Sequence, residues 1–206
     1  MAMNQKTCFP SEFPRGKVAY FVTSNTHKFQ EAQRVLSEYK IAAAKLRVEA
    51  VEIQDDSLEN IAKFSIQDAV KNCGLPVFVE DAGLFVEALN GFPGPYSKYV
   101  YNTVGVKGIL KLMKNVENRK AYFMSVVAFG SPDEQPTCFI GKVNGTLSLQ
   151  EMGTSGFGYD PIFVPSKGDG RTFAKMTTTE KNGYSHRAEA LKKFALWYSS
   201  FNKRRF

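Results

Sequence analysis

The chain has 206 residues, enough for one sizeable core, and its 43% apolar and 23% charged residues exclude a disordered, collagen-like or coiled-coil chain. No stretch approaches the roughly 18 apolar residues a membrane span needs, and the opening MAMNQKTCFPSEFPRGK lacks the apolar centre of a signal peptide, so a cytoplasmic protein with no membrane partner is expected. The net charge of +7 favours anionic partners, but Lys192, Lys193, Lys203, Arg204 and Arg205 concentrate part of it at the end, so nucleic acid, a phosphorylated metabolite and plain solubility all stay open.

Residues 17 to 23, KVAYFVT, are β-branched and aromatic and stop at Ser-Asn-Thr, which predicts a strand running into a helix cap. From Thr26 the period changes, with Phe29, Ala32, Leu36 and Tyr39 on one helical face. RVEAVEI at 47 to 53 predicts the second strand, and Asp56-Ser57-Leu58-Glu59 has capping-box spacing before a helix whose face is Leu58, Ile61, Ala62, Ser65 and Ala69. PVFVED at 76 to 81 predicts a third strand ending on two acids, and β-α-β-α-β order points to an α/β sheet. A Gly/Pro loop at 91 to 97 leads to a helix marked by Val106, Ile109, Leu110 and Met113. The β-rich runs 119 to 130 and 136 to 148 meet across Ser131-Pro132-Asp133-Glu134 as an antiparallel hairpin. A short helix behind Thr177-Thr178-Thr179-Glu180 and a last helix, capped by Ser185 and facing inward through Leu191, Phe194, Ala195 and Tyr198, complete the order. One domain over 1–206 with flexible ends at 1–16 and 202–206 is expected. Cys8, Cys73 and Cys138 form no CxxC pair, so neither zinc nor a disulfide framework is indicated.

Four stretches could carry chemistry. TSNTHK at 23 to 28 puts hydroxyl and amide residues, unpaired backbone N–H groups and Lys28 at a helix start, a fit for phosphate; a solvated cap would read the same. Glu52, Glu80 and Asp81 fall at expected strand ends, where neighbouring strands of an open sheet share a crevice; three carboxylates there repel one another unless a hard cation such as Mg²⁺ holds them. Acids that merely mark where strands meet water give the same pattern. Adjacent residues on an unbroken strand point to opposite faces, so one acid could bind metal and the other act as base. GFGYDP at 156 to 161 combines glycine with aromatics and an acid, suited to stacking a flat ring or to packing a turn. Ser185-His186-Arg187 after Lys181 sets cations at a helix N-terminus, which raises the helix's energy unless an anion or acceptor faces them.

In this order and spacing, TSNTHK, VEDAGLFVEALNGFPGPYS, GFGYDPIF and EKNGYSHRAEAL resemble the inosine triphosphate pyrophosphatase family, from about Lys17 to Phe201. The resemblance implies an α/β fold whose long mixed sheet and flanking helices form two lobes around a central nucleotide cleft. It implies Mg²⁺-dependent cleavage of ITP, dITP or XTP to the monophosphate and pyrophosphate, in a homodimer. Thr23, Asn25 and Lys28 would hold the triphosphate; Glu52, Glu80 and Asp81 would be the metal acids, with Asp81 the general base. Phe157 would stack on the purine, and Gly158, Tyr159, Asp160, Lys181, His186 and Arg187 would line the nucleotide site. The chain departs from the family at the lysine often found on the helix after the first acid, where it offers Gln67 or Asp68, with Lys63 a turn away. A nucleic-acid-binding protein would interleave basic and exposed aromatic residues along one surface; no such stripe is present, and that partner is not expected.

Overall fold

The computed structural model describes residues 17–48, 51, 53–132 and 134–201. Strand β1 (Lys17–Val22) leads into helix α1 (Thr26–Glu38), capped by Asn25. Strand β2 (Ile41–Leu46) follows at once and pairs parallel with β1, from Lys17 opposite Ile41 to Val22 opposite Leu46. Of the strand predicted at 47–53, Arg47, Val48, Val51 and Ile53 carry no strand, and residues 49, 50 and 52 lie outside the described residues. IAAAKL holds three alanines and hides from a propensity reading; what makes it a strand is the β1 ladder beside it.

Helix α2 (Leu58–Cys73) is capped by Ser57, which accepts from the Asn60 amide, so the cap is one residue later than the Asp56 box implied. Strand β3 (Val77–Val86) runs past the expected stop at Asp81 because it pairs without interruption with β5, from Val77 opposite Gly130 to Val86 opposite Ala121. The Gly/Pro loop contains the two-residue strand β4 (Pro93–Gly94) against β3, and then α3 (Ser97–Thr103), which the sequence periodicity did not show. Helix α4 (Gly105–Leu112) follows; strands β5 (Lys120–Gly130) and β6 (Thr137–Leu147) form the anticipated antiparallel hairpin. Strand β7 (Phe163–Pro165) adds to β6, then come α5 (Thr178–Asn182), with the full Thr177/Glu180 capping box, and α6 (His186–Phe201), whose Ser185 cap accepts from the Ala188 amide.

The result is a seven-stranded mixed sheet in the order β2-β1-β3-β5-β6-β7, with β4 attached to β3. Alternation along the strands divides the core. Phe21, Phe78, Val127 and Phe129 pack against Val35, Leu36, Leu191 and Phe194 of α1 and α6, while Val77, Val79, Val126 and Ala128 pack under Leu58, Ala62 and Ile66 of α2. A third cluster joins Leu84, Val86, Phe123 and Val143 to Ile109 of α4 and to Phe163 and Phe173. Among the described residues, no helix is long and apolar enough to cross a membrane.

Candidate active site

The site is assembled where α1 starts over β3. The Asn25 side chain accepts from the backbone amides of His27 (2.9 Å) and Lys28 (3.1 Å), the Asn25 carbonyl accepts from Phe29 N–H, and Thr23 Oγ1 accepts from Asn25 N–H. This cap occupies most donors of the first turn, so the positive group that the turn offers is the Lys28 ammonium. Lys28 Nζ folds back over the sheet, donating to the Glu80 carbonyl at 2.9 Å and lying 2.9 Å from Glu80 Oε2.

Glu80 and Asp81 are not a pair in space. The strand is unbroken through both, so Glu80 shares the parity of Phe78, on the α1/α6 side, and Asp81 that of Val77 and Val79, on the α2 side. The Glu80 side chain is fully enclosed. Besides Lys28, Arg187 Nε lies 3.0 Å from its Oε1, and Ser125 Oγ donates to the same oxygen at 2.5 Å. Burial raises the Glu80 pKa, but Arg187 and Lys28 outweigh it and hold the carboxyl far below the usual carboxylate range. Asp81 is half-buried. Glu52 lies outside the described residues.

Arg187 links Glu80 to a buried acid that the sequence reading passed over. Its Nη1 donates to Glu31 Oε2 at 2.5 Å, and Lys181 Nζ donates to Glu31 Oε1 (2.7 Å) and to Asp160 Oδ2 (2.6 Å). Lys28, Glu80, Arg187, Glu31, Lys181 and Asp160 thus form one continuous chain of alternating charge that sums to zero. Burial raises the Glu31 pKa, but the combined pull of Arg187 and Lys181 leaves it lowered; for Asp160 burial dominates and the pKa is raised against the pull of Lys181. Glu31 had a sequence signal, since it shares the buried stripe of α1 with Ala32, Val35 and Leu36, where an ionised acid needs partners.

The loop before Asp160 is shaped by that acid. Asp160 Oδ2 also accepts from Phe157 N–H at 2.9 Å, and Gly156 sits at φ 76° where a Cβ would meet the same oxygen at 2.1 Å. Phe157 is presented beside the charge chain, with Lys181 Nζ 4.8 Å and Arg187 Cζ 5.3 Å from its ring centroid. Gly158 continues the turn at φ 62°. Tyr159 turns the other way: its ring is buried in the third cluster and its hydroxyl donates to the Ser97 carbonyl at 3.1 Å, so its side chain anchors the loop to α3. His186 is buried parallel to Phe123 at 4.5 Å, and burial, then Arg187, push its pKa well below the usual value, leaving the imidazole neutral near pH 7. Among the described residues, no hydrogen-bond partner meets the buried His186 Nδ1 or Asn182 Oδ1. Gly141 of β6 lets the sheet approach this helix start, since a Cβ there would lie 2.0 Å from the His186 carbonyl oxygen and 2.5 Å from Ala190 N.

The arrangement therefore joins Lys28, Phe157, Asp160, Lys181, His186 and Arg187 in one neighbourhood, with Thr23 and Asn25 holding the turn that carries Lys28. Lys63 pairs with Glu59 on its own helix at 2.7 Å, and Asp68 accepts from Val51 N–H. A family model described as the Ham1 family matches residues 19–197. This chain belongs to the Ham1 family. Within and around that family, it is 47% identical over 180 residues to the dITP/XTP pyrophosphatase of Methanopyrus kandleri, covering 87% of this chain and 95% of the relative. It is 48% identical over 177 residues to the dITP/XTP pyrophosphatase of Thermococcus kodakarensis, covering 86% and 95%. Among solved structures, a HAM1 protein from Coxiella burnetii superposes with a TM-score of 0.78 at 27% identity, over 89% of this chain and 99% of that one. The nucleoside-triphosphatase, dITP/XTP pyrophosphatase, of Mycobacterium abscessus superposes at 0.68 with 31% identity, over 86% and 98%.

Proposed function

We propose that this protein hydrolyses non-canonical purine nucleoside triphosphates (ITP, dITP and XTP) to the nucleoside monophosphate and pyrophosphate. Its Ham1 membership and its dITP/XTP pyrophosphatase relatives support the reaction class. The observation that carries the reading is the convergence of Lys28, Lys181 and Arg187 on one buried charge chain, beside the stacking ring of Phe157. In this reading the nucleotide occupies the cleft between two lobes, its phosphates near Thr23, Asn25 and Lys28 and its purine on Phe157.

Hydrolysis at the α-phosphorus requires a water held in line, a base for its proton and positive charge for the departing pyrophosphate. Asp81 is the general base, reaching the phosphates from the α2 face at the edge of β3, where the register with β1 ends at Phe78, and Lys28 supplies charge to them from the other face. Mg²⁺ takes one or two carboxylates together with waters and substrate phosphates. Asp81 would offer it a carboxylate, and Glu52 is the second that the resemblance implies; Glu80, its oxygens engaged by Lys28, Arg187 and Ser125, is better suited to positioning those cations. When bound, Mg²⁺ would neutralise charge on the leaving pyrophosphate.

Selectivity follows from donors. Arg187, His186 or Lys181 would satisfy the 6-keto acceptor of hypoxanthine or xanthine, whereas the 6-amino group of adenine would set donor against donor, at a cost on the order of 1–3 kcal/mol. A homodimer, which the resemblance implies, and a cytoplasmic location without a nucleic-acid partner complete the reading. The test is product analysis over ITP, dITP, XTP and ATP with Mg²⁺: pyrophosphate is expected from the first three, with ATP far slower. Orthophosphate as the sole product, or equal rates on ATP, would refute the assignment.

A further inference from the structure

Phe157 is the ring on which the purine is proposed to stack, yet other groups already lie against it. The His27 imidazole lies nearly parallel to it, 15° between planes and 5.2 Å between centroids, and the Lys181 and Arg187 cations lie over the same ring. These covers differ in how firmly they are held. Lys181 and Arg187 are buried and each is bound to two carboxylates, Glu31 and Asp160 for the first, Glu31 and Glu80 for the second. His27 is exposed, and among the described residues no hydrogen bond reaches its imidazole; only its backbone amide is fixed, to Asn25.

From this asymmetry we infer that His27 sets the affinity of the nucleotide site for the base: its imidazole occupies a stacking face of Phe157 and yields it to the purine, so it competes with the base and not with the phosphates. The inference rests on the proposed purine site at Phe157. His27 sits on the first turn of α1, one residue before Lys28, and two side-chain torsions carry its ring off Phe157 while the Asn25 cap stays in place. A ring that self-stacks lowers affinity by the free energy of the contact it forfeits, by the same factor for every base that displaces it. An offset aromatic pair is of a strength that corresponds to about two- to tenfold in affinity.

The test compares His27→Ala and His27→Phe with the unaltered protein, reading KM for ITP and the inhibition constant of inorganic tripolyphosphate, a probe with no base. In His27→Ala, KM for ITP is expected to fall about two- to tenfold, with the tripolyphosphate constant unmoved. In His27→Phe, which keeps a ring on Phe157, KM does not fall. An unchanged or raised KM in His27→Ala would overturn the inference, because the purine then uses another face or gains from His27. A parallel change in KM and in the tripolyphosphate constant would also overturn it, by assigning His27 to the phosphates. Pyrophosphate release from ITP by the unaltered protein tests the functional reading separately.

Discussion

Glu31→Gln removes one charge from the centre of the buried chain while keeping the side chain's shape. Three cations and three carboxylates balance in the native protein, and the substitution leaves an excess of one positive charge. Breaking a buried ion pair by neutralising one partner costs about 3–5 kcal/mol. Here both orphaned cations keep a second carboxylate, Asp160 at 2.6 Å from Lys181 and Glu80 at 3.0 Å from Arg187, which places the expected loss near the lower end, about 3 kcal/mol. For a chain of this size that is a fall of about 1 M or more in the urea midpoint at unchanged slope. The uncompensated cation also makes the site more receptive to an anion, so tripolyphosphate should raise the midpoint of Glu31→Gln by more than that of the unaltered protein. A variant within about 0.5 kcal/mol of the unaltered protein would show that the chain of charges is not a stabilising unit and would refute the reasoning.

The same acids set a pH dependence. Glu31 and Glu80 are held below their ordinary value of 4.5 in the folded protein, so their contribution is present above that pH and is lost as pH falls through the folded values. Asp160, raised by burial, acts in the opposite sense. The unfolding free energy should therefore decline on acidification below about 4.5, less steeply in Glu31→Gln, as followed by denaturant titration across pH; equal slopes would remove Glu31 from the account. Asp81→Asn should fold normally and lower kcat by at least about 100-fold, the lower end for losing a positioned base. Near-normal turnover would place the base elsewhere.

Much of this site was legible from residue order. Thr23, Asn25 and Lys28 announced a capped helix start, and the Ser185-His186-Arg187 start announced cations in need of an anion; the structure supplies those partners as Glu80 and Glu31. Two of the misses share a cause. β2 and the second half of β3 are defined by their neighbours' ladders, and an Ala-rich segment or an acid pair within a strand carries no local signal of that pairing. α3, behind the Gly/Pro loop, is too short for a period to show.

By itself the sequence determined the element types with strong periodicity, the caps of α1, α5 and α6, and the residue types available for phosphate, base and proton transfer, because those depend on neighbours within a few positions. Tertiary structure alone decided which charges meet. Glu31 and Glu80 are 49 residues apart, as the two positions count, yet both grip Arg187 because α1 and α6 pack on one face of the sheet. The unbroken ladder of β3 with β5 then sends Glu80 into that buried network and Asp81 to the opposite face, since side chains on a continuous strand must alternate.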